Sequence, residues 1–323
     1  MKDLKNFLED CSRQYYNTGE SPISDEVFDR LAETIGYNTL GYDPVGKTAK
    51  HMYPLYSLDK FYPEDGGKNP LSEYEEKDKC RTPKIDGAAI SLLYIDGELL
   101  QALTRGNGIE GQIITDKIVS TSTSLGIPTK INMKGIVQIT GEIAAPLHIE
   151  NARNYAAGAL NLKDINEFKT RAIVFIAYGV YPNPTENYET DLKVLERAKF
   201  TTVLTKCLES IYPLDGIVVR LCNNTEFSNL GYTAKHPRGA FAIKERAEAV
   251  ETTILDVVWQ VGKSGKVTPV AILDPIMIED ANISRATLNN KAFIESLGIE
   301  IGDRVLIIRA GSIIPCVVGK ADQ

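Results

Sequence analysis

Lys84 stands in the run Pro83-Lys84-Ile85-Asp86-Gly87, and Thr104-Arg105-Gly106-Asn107-Gly108-Ile109-Glu110-Gly111 follows about twenty residues later. A lysine just ahead of a glycine turn is a candidate covalent nucleophile. An amine attacks phosphorus only when neutral, so it needs a site that lowers its pKa through desolvation or neighbouring cations, and Arg105 can serve as such a cation. A pattern this short also suits a surface lysine beside a turn. The segments downstream sharpen it: Gly141-Glu142-Ile143, Asp215-Gly216-Ile217-Val218-Val219-Arg220 and Ala242-Ile243-Lys244, short apolar runs that each carry charge.

Periodicity predicts the elements that hold these groups. Residues 1–35 read as a helical hairpin, with Leu4, Phe7, Leu8 and Cys11 at helical spacing and Ser24-Asp25 capping a second helix that carries Val27, Phe28 and Leu31. Residues 41–69, rich in Gly, Pro and Tyr without period, predict an ordered linker. The alternating runs 88–95 and 98–104 around Asp96-Gly97 predict a β-hairpin. Lys84 precedes its first strand and Arg105 follows its second, so the hairpin brings them together. Further strands are predicted at Ile136–Ile143, Ala172–Val180, Gly216–Leu221 and Phe241–Lys244, and helices at Asn151–Leu160 and Asp191–Lys199. After Glu245 short strands broken by glycine suit a small closed barrel, or any other small β-domain.

A chain of 323 residues predicts two or three domains, and its 43% hydrophobic and 24% charged content is that of a soluble globular protein. No uninterrupted apolar run is long enough to span a bilayer, and the first sixteen residues are too charged for a signal peptide, so a cytoplasmic protein is expected. Cys11, Cys80, Cys207, Cys222 and Cys316 form no C-x-x-C pair, which argues against a zinc site and a disulfide framework and predicts reduced thiols. The net charge is −7, and residues 1–60, 61–245 and 246–323 hold 7, 21 and 8 basic against 10, 23 and 10 acidic side chains. No segment is basic, so any contact with DNA comes from local patches.

In their order, the charged segments resemble the covalent nucleotidyltransferases: DNA ligases, RNA ligases and mRNA capping enzymes. Three features resemble one branch, the NAD-dependent DNA ligases of bacterial and phage type. The hairpin with Tyr15-Tyr16 and Ile23-Ser24-Asp25-Glu26-Val27-Phe28-Asp29 looks like that branch's nicotinamide-mononucleotide module, although Tyr15 and Phe28 equally suit a hairpin core. Pro54-Leu55-Tyr56-Ser57-Leu58-Asp59-Lys60 is similar to the segment at its adenylate pocket. Trp259–Gly265, Ser284–Asn290 and Gly302–Pro315 look like its OB-fold.

The resemblance covers nearly the whole chain and implies an α+β protein of three parts. These are a helical nicotinamide-mononucleotide-binding module (1–48), an antiparallel-sheet nucleotidyltransferase (ATP-grasp-like ligase) domain (49–246) and an OB-fold β-barrel (247–323). It implies NAD and Mg²⁺ as cofactors and nicked double-stranded DNA as partner. Lys84 would attack NAD and carry AMP, with Asp86 and Lys244 assisting. Tyr15, Tyr16, Asp25, Phe28, Asp29, Ser57, Leu58, Arg105, Glu142, Arg220 and Lys244 would hold the dinucleotide. Arg153, in a segment similar to the family's helix at the nick, would contact DNA with Lys263, Arg285 and Arg309; a solvated helix-start arginine is the other reading of Arg153. No zinc site is implied by this stretch, and the Mg²⁺ ligands are unassigned.

The chain departs from the family at Arg220 and Thr82, where lysine and glutamate are usual, and at Asn161 and near Lys206-Cys207, where arginines are usual. The family's zinc, helix-hairpin-helix and BRCT regions are expected to lie outside this chain. Three readings follow: an NAD-dependent DNA ligase or its adenylation core, an ATP-dependent ligase or capping-type enzyme, and a weakened NAD-binding subunit that needs a DNA-binding partner chain.

Overall fold

One apolar stripe on α1 (Lys2–Thr18) and another on α2 (Asp25–Thr34) bury Leu4, Leu8, Val27 and Leu31, so the hairpin expected from their spacing forms. The computed structural model describes residues 2–18, 22–23, 25–34, 47–244, 249–261, 267–278, 281–310 and 314–321. After the hairpin come β1 (Thr48–Lys50), β2 (Asp59–Phe61), β3 (Lys79–Ile85), β4 (Ala88–Ile95), β5 (Glu98–Thr104), β6 (Glu110–Gln112), α3 (Thr115–Ser120), α4 (Ser122–Leu125) and β7 (Ile136–Ala144). Next are α5 (Ala152–Asn161), α6 (Ile165–Lys169), β8 (Val174–Tyr181), α7 (Tyr188–Arg197), β9 (Thr201–Thr202), β10 (Leu214–Leu221), α8 (Asn224–Leu230) and β11 (Ala240–Ile243). The last stretch holds β12 (Val250–Val261), β13 (Val267–Ile278), β14 (Ala281–Thr287), α9 (Lys291–Leu297), β15 (Arg304–Ala310) and β16 (Ile314–Lys320).

The chain divides into two compact units, one built from α1, α2 and the elements from β12 onward, the other from β1 through β11. The α+β class expected from the sequence is the class observed. In the larger unit a five-stranded sheet of order β5-β4-β7-β8-β9 buries Ile90, Leu92, Tyr94, Ile139 and Phe175. A four-stranded sheet of order β2-β11-β10-β3 covers a smaller core of Leu71, Val219, Leu221, Phe227 and Phe241. The β4–β5 turn sits on Asp96 and Gly97, both at positive φ (49° and 86°), the geometry of a two-residue hairpin.

Three expectations change. The stretch read as a linker is strand-paired, β1 with β6 and β2 in parallel with β11; three-residue strands are too short for alternation to reveal. Lys84 precedes β4, the first strand of the hairpin, as expected, but it lies within a strand of its own that was not expected, β3, because β3 pairs with β10. The cysteines are not all reduced: Cys80 and Cys222 are joined by a disulfide across 142 residues of sequence. Arg220 pairs with Cys80 in the β3–β10 ladder, so the sheet supplies a proximity that cysteine spacing cannot reveal.

In the smaller unit five strands pair in a ring, β12-β13-β14-β16-β15, whose β14–β16 seam rests on a single parallel pair, Thr287 with Cys316. This is the expected OB-like barrel. One core runs from Leu4, Phe7, Leu8, Val27 and Leu31 through Phe293 to Ile254, Val305 and Ile307, so the hairpin and the barrel bury each other's apolar faces.

Phe293 is fully buried, its ring centroid 5.7 Å from that of Phe7. Phe293→Ala is expected to cost about 3–5 kcal/mol, read from urea unfolding. Adding Phe7→Ala should then cost less than it does alone, because the two rings share one contact.

Candidate active site

β3 is the edge strand of its sheet, where the N–H missing from Pro83 is tolerated. Its ladder with β10 runs in register from Leu221–Lys79 to Ile217–Pro83 and then shifts, resuming at Leu214–Ile85. Two residues, Asp215 and Gly216, therefore oppose the single residue Lys84, which is the definition of a β-bulge. The bulge turns the Asp215 carboxylate onto the nucleophile candidate: Lys84 Nζ donates to Asp215 Oδ2.

Gly216 makes the bulge possible. Its φ is +106°, and a Cβ there would lie 2.1 Å from Ile243 O, so only glycine lets β11 end this close. Lys244, the residue just after β11, places Nζ 2.8 Å from Asp215 Oδ1. One carboxylate thus holds two lysines, one on each oxygen. Burial pushes the Asp215 carboxyl upward, but the two ammonium groups outweigh it and hold it at about 2, against an ordinary 3.8.

The turn after Lys84 joins the two sheets of this unit. Asp86 N donates to Pro213 O at 2.9 Å, and a Cβ on Gly87 would lie 2.2 Å from Ile143 O, so the glycine of the nucleophile motif lets the turn pass flush against β7. This brings Glu142 of β7 into the same cluster. Burial raises its carboxyl from 4.5 to about 7; Lys84, Arg153 and Arg105 pull it down, and Asp86 adds to the rise. Arg153, in the first turn of α5, donates Nη1 to Asp86 Oδ1 at 3.0 Å.

Arg105 is positioned through its backbone. Its N–H donates to Ala89 O at 3.0 Å, which closes the β4–β5 hairpin as expected. Its carbonyl accepts from His51 Nε2 at 3.0 Å, leaving Nδ1 to accept from Ser91 Oγ at 2.8 Å. Burial lowers the pKa of His51, while its bond to the Arg105 carbonyl opposes that shift, so the ring serves as a neutral brace.

Lys84, Asp86, Arg105, Glu142, Arg153 and Lys244 are therefore brought together, Arg153 among them although its segment had been read as a DNA contact. Asp215, His51 and Tyr178 were missed. The signal for Asp215 lay in its own Asp-Gly dipeptide, which reads as a turn until a bulge is seen. Tyr178 of β8 interacts with Glu142 and Arg105 and receives the Tyr188 hydroxyl on its carbonyl at 2.9 Å; burial pushes its own hydroxyl far upward.

Arg220 is committed inward. It is 7% exposed, its guanidinium carbon 4.2 Å from the Tyr188 ring centroid and 3.9 Å from that of Phe227. It donates Nη2 to Asn224 Oδ1 at 2.6 Å, and Asn224 donates in turn to the buried Asp191 at 2.7 Å. Ser57 pairs with His236 Nδ1 at 3.1 Å, and Leu58 packs on the core around Phe241.

In the smaller unit Phe28 packs on the shared core and Asp29 is half-buried. Tyr15, Tyr16 and Asp25 lie on α1 and α2, with side chains outside the described residues. Arg285 is exposed on β14, Arg309 is half-buried on β15, and Lys263 lies outside the described residues. Among the described residues no three His, Cys, Asp or Glu side chains cluster as a metal cage, and no helix is long and apolar enough to cross a membrane.

Residues 46–148 match the NAD-dependent DNA ligase adenylation domain, and residues 251–323 match the NAD-dependent DNA ligase OB-fold domain. The chain belongs to the NAD-dependent DNA ligase family. The DNA ligase of Alkaliphilus oremlandii is 31% identical over 389 aligned residues, covering 100% of this chain and 57% of its own length. Those of Sulfurovum sp. and Chlorobium luteolum are 30% and 31% identical, covering 97% and 98% of this chain and again 57% of their own length. The chain thus spans 57% of the length of these ligases. A solved Lig E DNA ligase aligns with a TM-score of 0.41 at 13% identity, covering 80% of this chain and 92% of its own.

Two outcomes follow from this arrangement. Between about 4.5 and about 7 the folded chain holds a proton on Glu142 that the unfolded chain has released, so this group's contribution to stability falls as pH rises through that window. Glu142→Gln is expected to flatten that decline in urea unfolding measured across the window. Arg220→Lys, which loses the planar stack and the bond to Asn224, is expected to cost about 1–3 kcal/mol in the same titrations.

Proposed function

We propose that this chain is the adenylation core of an NAD-dependent DNA ligase, acting in the cytoplasm. The observation that carries the reading is one carboxylate, Asp215, held between two lysines where β3, β10 and β11 converge. Lys84 Nζ attacks the α-phosphorus of NAD. A nitrogen–phosphorus bond forms, the bond to the bridging oxygen breaks, and nicotinamide mononucleotide leaves with the electron pair. The product is Lys84–AMP.

An ion-paired ammonium has no lone pair to donate, so attack requires its proton to leave. Glu142, which burial brings to about 7 and which interacts with Lys84 through space, would accept it. Lys244, freed from Asp215 as phosphate charge enters, offsets charge on the transferring phosphoryl group, and Arg105 adds to the same field.

In the family Mg²⁺ neutralises phosphate charge. Such an ion needs only one or two carboxylates beside substrate phosphates, and Asp86, now paired with Arg153, would be the carboxylate to hold it. AMP would then pass to the 5′-phosphate of a nick in double-stranded DNA, and the 3′-hydroxyl would displace it. The net charge of −7 supports weak nick binding by this chain alone. A second polypeptide supplying DNA contacts is therefore part of the proposal.

Intact mass after incubation with NAD and Mg²⁺ tests it: wild type should gain one adenylate, and Lys84→Ala should gain none. Labelling by ATP instead of NAD would remove the cofactor assignment. Absence of an adduct with either nucleotide would remove the adenylation reading.

A further inference from the structure

The strand that carries Lys84 and the strand that carries Asp215 are also joined covalently. Cys80 lies in β3, four residues before Lys84, and Cys222 follows directly on β10. Their sulfurs are bonded, with Cα atoms 5.2 Å apart. Cys80 is 2% exposed, and Cys222 is half-buried. The backbone at Cys222 is tied on both sides: its N–H donates to Asp78 O at 2.8 Å, and its carbonyl accepts from Tyr188 N at 2.8 Å. Tyr188 in turn supports Arg220 and the Tyr178 carbonyl.

β3 has one neighbour in its sheet, β10, so nothing else in that sheet resists its slipping or peeling away. The bulge faces Lys84 only while the ladder between Lys79 and Pro83 stays in register, and Cys80 lies in that stretch. We propose that Cys80 and Cys222 are a reversible redox cross-link that fixes β3 against the end of β10 and so holds Lys84 on Asp215.

The chemistry is ordinary thiol–disulfide exchange with a low-molecular-weight disulfide. The more accessible Cys222 thiolate attacks the small disulfide, breaks its sulfur–sulfur bond and expels one small thiol. The Cys80 thiolate then displaces the second small thiol from the mixed disulfide and forms the Cys80–Cys222 bond. Two electrons pass from the protein thiols to the small disulfide, and the two thiol protons leave on the two small thiols. A dithiol reductant reverses the sequence. Of the other cysteines, Cys207 is exposed, while Cys11 and Cys316 are buried; burial pushes the Cys11 thiol up to about 12, with its own backbone bond opposing, which keeps it a poor competitor.

The test compares the full chain equilibrated with oxidised glutathione against the same chain reduced with a phosphine. Alkylation after unfolding should modify three of the five cysteines in the first sample and all five in the second, with peptide mapping returning a Cys80–Cys222 link. The melting temperature should be higher in the oxidised chain by roughly 5 °C or more. Labelling by acetic anhydride should be several-fold faster at Lys84 in the reduced chain, where the pair with Asp215 loosens. Cys222→Ser should label like the reduced chain under both conditions, and Cys207→Ser like wild type; if Cys222→Ser fails to fold, reduction of wild type makes the same comparison. Five alkylated cysteines in the oxidised sample, or a link mapped to another pair, would overturn the cross-link. Equal labelling of Lys84 in the two states would overturn its coupling to the site. None of these readouts uses NAD, so they stand or fall apart from the adenylation proposal.

Discussion

A two-against-one mismatch in a β-ladder sets the geometry of this protein's site. Opposite Lys84, strand β10 spends two residues, and the extra length turns the Asp215 carboxylate out of the ladder and onto the lysine. Without that turn Lys84 and Lys244 would both lose the carboxylate they share, a costly change for two partly buried cations. The bulge in turn depends on Gly216, whose positive φ and missing side chain admit the end of β11. Gly87 performs the same service on the other sheet by letting the nucleophile turn lie against β7. The two glycines are thus steric conditions for the charge cluster.

Within that cluster, environment separates chemically similar groups. Asp215 and Glu142 are both carboxylates withdrawn from water, yet one is held at about 2 and the other rises to about 7. Asp215 meets two ammonium groups at bonding distance, which outweighs its desolvation. Glu142 feels cations only through space, and desolvation wins. The site therefore contains a fixed negative charge and a group able to exchange a proton at neutral pH, from two carboxylates on strands of different sheets.

Arg220 shows how far charge conservation can mislead at this level. It occupies the position where relatives are expected to present a lysine to nucleotide, and its charge is kept. Its guanidinium instead fills a slot between Tyr188 and Phe227 and closes a buried chain through Asn224 to Asp191. Planar arginine suits stacking between rings in a way that an ammonium does not. In the smaller unit, likewise, Phe28 spends its side chain on the core that the helical hairpin shares with the barrel.

Much of the architecture was legible in advance because it depends on local signals. Helical spacing placed α1, α2, α5 and α7, alternation around Asp96-Gly97 placed β4 and β5, and glycine-broken strands marked the barrel. Ordered short motifs, through their resemblance to the covalent nucleotidyltransferases, named Lys84, Glu142 and Lys244 as parts of one site. What remained hidden was whatever arises from pairing between distant strands. That Lys84 sits within a strand, that Asp215 lies between two lysines, that Cys80 meets Cys222 across 142 residues, and that Arg220 turns inward all follow from the register of β3, β10 and β11. Sequence alone determined which chemical groups this protein has and which local elements carry them. Only the tertiary structure decided which groups face each other, because a single residue of register moves every side chain of a strand to its other face.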